Sequence, residues 1–164
     1  MRVLGIDPGF GRVGFGIIDY VNGKEVYVYS ECFETSPKDA FVHRLAAVGK
    51  KTKEICSTWK PDTIAIETLF FEKNQKTAMH VAEARGVIVY ESSQMAHVAE
   101  YTPLQIKMAL TGYGKATKDQ VTFMVEKIIS LPLGVRLDDE LDALAIAITH
   151  GAFYRPSKAT FPLA

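Results

Sequence analysis

Val3-Leu4-Gly5-Ile6-Asp7-Pro8-Gly9 is an apolar run that ends in a carboxylate and then turns at once. Such a run marks a strand buried on both faces, so Asp7 arrives at the edge of a core. A bare carboxylate there needs a cation or several donors. The pattern recurs. Thr63-Ile64-Ala65-Ile66-Glu67 brings a second acid from a second apolar strand, and Asp139 and Asp142 precede Ala143-Leu144-Ala145-Ile146-Ala147-Ile148, an apolar helix. No Cys or His stands at ligand spacing nearby. This donor set suits a hard cation with oxygen ligands, Mg²⁺ or Mn²⁺. Four acids on three elements can hold two ions about 4 Å apart, the arrangement that serves phosphoryl chemistry.

Outward from that strand, Arg12 to Tyr20 reads as a second strand, joined through Pro8-Gly9-Phe10-Gly11. Asn22-Gly23 is a hairpin signal, and Glu25 to Phe33 gives a third strand, so an antiparallel meander is expected. The period then changes. Ser36-Pro37-Lys38-Asp39 has the form of a helix start, with Ser36 as cap and Pro37 at the first helical position. Phe41, Leu45, Val48, Thr52, Ile55 and Trp59 follow as one apolar stripe until Lys60-Pro61. Because a helix leads into it, the strand Ile64 to Glu67 is expected to run parallel to the first. A helix from Asn74 to Met95, a strand from Val98 to Tyr101 and a short helix from Pro103 to Leu110 come next. Thr117-Lys118-Asp119-Gln120 has capping-box form and opens a further helix. A last helix runs from Asp139 to about Phe153. The expected class is α/β, a five-stranded mixed sheet flanked by helices, in one domain over residues 1–153 with a loosely held tail over 154–164.

A chain of 164 residues supports one such core. Its 48% apolar and 23% charged content is that of a globular protein. The stretch from Ala143 to Ile148 is far too short to span a membrane, and one Arg followed by a strand does not read as a signal peptide. Cys32 and Cys56 are isolated, which points to the cytoplasm. The 19 basic and 19 acidic residues cancel, but Lys73, Lys76 and Arg85 follow the Glu67 strand and Lys107, Lys115 and Lys118 cluster later. The charge count therefore leaves nucleic acid open as a partner.

Each acid also has a plainer reading. Asp138-Asp139-Glu140 can be an acidic first turn that complements the helix dipole, although Asp142, on the face of Asp139, then goes unexplained. Asp7 can be a turn residue before Pro-Gly. Glu67 has poor turn propensity and needs a partner. His43, His80, His97 and His150 show no ligand spacing and are given no chemistry.

In this order, Gly5-Ile6-Asp7-Pro8-Gly9, Ala65-Ile66-Glu67, Phe70, Asn74, Ala84-Arg85-Gly86 and the segment from Asp139 to His150 resemble the RuvC family of Holliday-junction endonucleases, from about residue 3 to about residue 150. The resemblance implies an RNase H-like fold and a homodimer making paired symmetric nicks across a four-way DNA junction during recombination and repair. It further implies metal-dependent hydrolysis that leaves 5′-phosphate ends, and work with the RuvA–RuvB branch-migration complex. Asp7, Glu67, Asp139 and Asp142 match the family's acidic quartet, with Asp138 a neighbour in register. Lys107 and Lys118 match basic positions near DNA; otherwise they are solvated helix lysines. Phe70 matches an aromatic that can stack on an unpaired base; otherwise it is core.

Three other readings compete. An RNase H-fold nuclease of the YqgF type, acting on RNA, shares the Asp-Pro-Gly turn but not the run from Asp142 to His150. An actin-like ATPase needs a second glycine-rich phosphate hairpin and about twice this length. A non-catalytic junction binder has no use for all four acids.

Overall fold

The computed structural model describes residues 1–69, 75–132 and 138–154. The apolar run forms β1 (Arg2–Asp7). It pairs antiparallel with β2 (Arg12–Val21), which pairs antiparallel with β3 (Lys24–Glu34) across the Asn22-Gly23 turn. Both turn residues have positive φ, 52° and 76°, as a two-residue hairpin whose twist matches its strands requires. On its other side β1 pairs parallel with β4 (Thr63–Glu67), and β4 pairs parallel with β5 (His97–Tyr101). The sheet order is β3-β2-β1-β4-β5, the expected five-stranded mixed sheet.

Both faces are covered, which explains the unbroken apolar strands. Leu4, Ile6, Val13, Phe15, Ile17, Ile64 and Ile66 pack with Val48, Ile55 and Cys56 of α1 (Phe41–Trp59) and Ile88 of α2 (Gln75–Ser93). The opposite face, with Val3, Ile18, Ala65 and Tyr101, packs against α3 (Pro103–Thr111), α4 (Lys118–Ile128) and α5 (Asp138–Phe153). Thr102 and Thr117 each close a complete capping box, on α3 and α4. Among the described residues no helix is long and apolar enough to cross a membrane.

Most boundaries fall within two residues of expectation, α2 for example ending at Ser93 and not Met95, but the start of α1 differs more. Helix α1 begins at Phe41, with Ala40 before it making no side-chain cap. Ser36-Pro37-Lys38-Asp39 is instead a turn: Asp39 N–H donates to the Ser36 carbonyl (3.2 Å), and Lys38 N–H to Ser36 Oγ (3.2 Å). A Ser-Pro pair suits position i and i+1 of a β-turn as well as it suits a helix start, and here the turn wins. At the other end Lys60 closes α1 in the left-handed region (φ 47°) before Pro61.

Helix α5 lies unusually close to the sheet. A Cβ on Gly5 would meet the carbonyl oxygen of Ala143, one on Gly14 that of Asp139, and one on Gly16 would stand 2.7 Å from the Leu144 nitrogen. Tyr20 Oη donates to the Ile148 carbonyl (3.0 Å), and His150 Nδ1 pairs with Tyr101 Oη (2.9 Å), fixing the second half of the helix. Gly16→Ala should therefore lift α5 and cost about 1–3 kcal/mol. Calorimetry should show a drop of about 2–4 °C per kcal/mol, and an unchanged melting temperature would contradict this close contact.

Candidate active site

Sheet register and strand parity place the acids. Side chains alternate along a strand, so Val3, Gly5 and Asp7 face α5 while Leu4 and Ile6 face α1. Asp7 pairs with Gly14, Gly14 with Cys32, and Ile6 with Ile66, which sets Glu67 beside Asp7 on the same face. Glu67 in turn pairs with Tyr101. The α5 face at this end of the sheet thus reads Cys32, Gly14, Asp7, Glu67, Tyr101. The first turn of α5 crosses directly over Gly14, which carries Asp139 to the β2–β3 side and Asp142 toward Asp7 and Glu67. Ser30 Oγ donates to Glu140 (2.7 Å) and ties that turn to β3.

The helix phase separates the acids of α5. The Asp139 side chain is 17% exposed, with Arg12 Nε at 3.3 Å and the Cys32 thiol donating at 3.8 Å. Asp138 is 73% exposed and points toward Lys118 at 3.5 Å. Asp139, and not Asp138, thus adds to the negative field at Asp7. Asp142 holds Lys118 Nζ at 2.8 Å. Lys118 is the first residue of α4, so the capping box of Thr117 aims it. With Lys107 of α3 it flanks a cleft of about 210 Å³ that Glu67 and Asp142 also line, over a floor including Ile106, Val121 and Ile146.

Burial pushes the Asp7 carboxyl up to about 8, and Glu67, Asp142 and Asp139 push the same way against Lys118. Glu67 is pushed up to about 7 by burial and then by Asp142, with Lys118 and Lys107 opposing. Asp142 is raised by burial despite its bond to Lys118, because Asp139 and Asp138 add repulsion. Lys118 is raised as well: burial opposes its charge, but Asp142 and Asp138 hold the ammonium above its ordinary value. Burial aside, both ends of this ion pair move up because acids surround both, and negative charge disfavours a carboxylate while it favours an ammonium.

Such a cluster is short of positive charge, and its donors are all hard oxygens. By charge and donor type it fits divalent Mg²⁺ or Mn²⁺. Among the described residues no three acidic, His or Cys side chains already stand close enough to hold one ion; Lys118 occupies the space beside Asp142 instead. Phe70 lies outside the described residues, as does the expected helix start at Asn74. Arg12 and Cys32, the neighbours of Asp139, carry no sequence signal of that role, since their approach depends on register across the hairpin.

The raised carboxyls set a pH dependence. In the unfolded chain Asp7 and Glu67 titrate near their ordinary values, 3.8 and 4.5. Between there and the folded values of about 8 and about 7, the native state holds protons that the unfolded chain releases. Their stabilisation is therefore complete below the unfolded values and lost as pH rises through the folded ones. In EDTA the melting temperature should fall from about pH 5 to about pH 8, Asp7→Asn should flatten that fall, and Mg²⁺ should raise the melting temperature most at the alkaline end. A flat profile in EDTA would contradict the burial of these acids.

Comparison with known proteins agrees with the geometry. Residues 3–150 match the family "Crossover junction endodeoxyribonuclease RuvC". The protein of that name from Desulforamulus reducens is 42% identical over 92% of this chain and 93% of its own length. That from Fusobacterium nucleatum is 46% identical over 92% of this chain and 80% of its own. The structure of Thermus thermophilus RuvC, 32% identical, superposes with a TM-score of 0.85 over 93% of this chain and 95% of that one. The T. thermophilus protein in complex with Holliday junction substrate gives 0.86 at the same identity, over 93% and 94%. The α/β sheet is thus the RNase H-like one expected, and with four acids drawn to one end of it, the chain belongs to the RuvC family of crossover junction endodeoxyribonucleases.

Proposed function

We propose that this chain resolves four-way DNA (Holliday) junctions in the cytoplasm, nicking two strands symmetrically and leaving 5′-phosphate ends. The observation that carries the reading is the gathering of Asp7, Glu67, Asp139 and Asp142 at one sheet end in a chain of the RuvC family. Membership of that family also disfavours a YqgF-type nuclease acting on RNA.

Asp7 and Glu67 come from buried strands and are held rigidly; Asp139 and Asp142 come from a helix pinned at both ends. Together they would hold two Mg²⁺ ions, or Mn²⁺ in their place, which supply charge neutralisation and activation of the attacking water. Lys107 and Lys118 offset the charge of an incoming phosphodiester and of its transition state. Lys118 can serve there because its present partner, Asp142, is one of the acids the ions would take. The nuclease unit is assigned to residues 1–153, with 154–164 as a tail.

A junction offers two equivalent strands related by a two-fold axis, so an isologous dimer can present one site to each. The α2 helix is the candidate pairing surface, with Met79 and Tyr90 both well exposed. Phe70 follows the catalytic strand and is assigned to hold an unstacked base at the branch point. Delivery of junctions by a RuvA–RuvB complex completes the reading.

A synthetic junction, its matching duplex and its single strands, each with and without Mg²⁺, form the test. Only the junction with Mg²⁺ or Mn²⁺ should be nicked; Ca²⁺ should support binding with little cleavage, because its larger shell positions the phosphate poorly. Asp7→Asn, Glu67→Gln, Asp139→Asn and Asp142→Asn should each bind the junction yet leave it intact, and brisk nicking by two of them would sink the assignment. In the same assay Phe70→Ala should slow nicking without lowering the melting temperature, whereas a core phenylalanine would cost about 3–5 kcal/mol. Paired nicks should vanish on dilution as dimers dissociate; their persistence in a protein shown to be monomeric would remove the dimer from the mechanism.

A further inference from the structure

Arg85 approaches the site from the face of the sheet opposite the four acids. It lies within α2, and its side chain is 19% exposed. Its Nε donates to the backbone carbonyl of Glu67 (3.1 Å), and its Nη2 stands 2.9 Å from Glu100 Oε1 on β5. The Glu67 carbonyl is the last of β4. The next amide, Thr68 N–H, donates to the Tyr101 carbonyl (2.8 Å). The peptide following Glu67 is therefore held at both of its polar atoms, the oxygen by Arg85 and the nitrogen by β5.

A largely buried guanidinium is costly unless its charge and donors are used. Nη2 has its charge partner in Glu100 but no hydrogen bond of good geometry, so pairing with Glu100 alone is a poor reason to bury it. The remaining contact is the one to the Glu67 main chain. It also spans two layers, since α2 covers one face of the sheet while the Glu67 carboxylate leaves the other.

We propose that Arg85 is a positioning residue for the reaction: it locks the main chain of Glu67 against α2 and β5, and so fixes where the carboxylate on the opposite face stands. The inference rests on Glu67 belonging to the catalytic site. The role needs a guanidinium, whose planar fork reaches two acceptors in different directions; an ammonium is a single point charge.

Steady-state nicking of a synthetic junction by Arg85→Lys and Arg85→Ala, with junction affinity in Ca²⁺ and thermal melting alongside, provides the test. Both variants should lose about 10–100-fold in kcat, the cost of misplacing a catalytic group by about 1 Å, with KM and affinity changed by less than about 2-fold. Arg85→Lys should melt close to wild type, because its ammonium still pairs with Glu100, so that rate and stability separate. Wild-type kcat in either variant overturns the inference. So does a rise in KM with kcat intact, which would make Arg85 a DNA contact. If Arg85→Ala does not fold, Arg85→Lys decides. Glu67→Gln separates the two levels: if it still nicks, the site reading itself fails, whereas if it is inactive beside fully active Arg85 variants, only this inference falls.

Discussion

Helix α5 lies against the sheet with no side-chain layer between its backbone and the glycines of β1 and β2. Everything at the site depends on that approach. A helix held off by ordinary side chains packs about 10 Å from its neighbour, and short aspartates on it would not reach a carboxylate on the sheet. Gly5, Gly14 and Gly16 remove that layer beneath the first half of α5, and Ala143 and Ala147, four residues apart on one helix face, thin the helix from its own side. The apolar hexad that looks like ordinary core in the sequence is thus a spacer of defined thickness.

The same geometry creates an electrostatic debt. Four carboxylates are drawn to one edge, three of them raised in pKa, and among the described residues the cations facing them are Arg12, Lys107 and Lys118. Lys118 begins a helix, where positive charge is disfavoured by the dipole. It is held there by Asp142, an acid the divalent ions would claim. The lysine and such ions would therefore compete for one partner, and a Lys118 released from Asp142 would be free to face an incoming phosphate.

Much of the fold was legible because its signals are local. An apolar run that ends at Asp7, an Asn-Gly turn, the capping box of Thr117 and Gln120 and a crossover helix each have one dominant reading, and together they specify the mixed sheet; the second capping box, Thr102 with Gln105, emerged only in the structure. Where two readings shared one chemistry, the sequence could not decide: Ser36-Pro37 starts helices and makes turns, and it makes a turn here. The acids were visible as strand and helix ends. Their surroundings were not. Counting back from Asn22-Gly23, a regular hairpin would set Glu31 opposite Gly14, but an irregularity between Ile17 and Ile18 shifts the register by one and brings Cys32 there instead. Arg85 stood out in the Ala84-Arg85-Gly86 motif, but its contact did not: a side chain that serves a backbone carbonyl leaves no complementary residue in the sequence to find.

The register shift in the β2–β3 hairpin falls within the stretch of β2 that β1 still pairs, since Arg2 and Val3 stand opposite Asp19 and Ile18 beyond it. On the Gly14 side of the shift, β2 is roofed by the start of α5. On the other side, the strands run on to an exposed tip at Asn22 and Gly23. Strand rise of about 3.3 Å per residue puts this tip roughly 25 Å from Asp7, at the opposite end of the sheet from the acids. A fluorophore or tether attached at the tip would therefore stand far from the acids on a strand pair that continues directly into the sheet, which makes the hairpin a handle for following the molecule without touching the site.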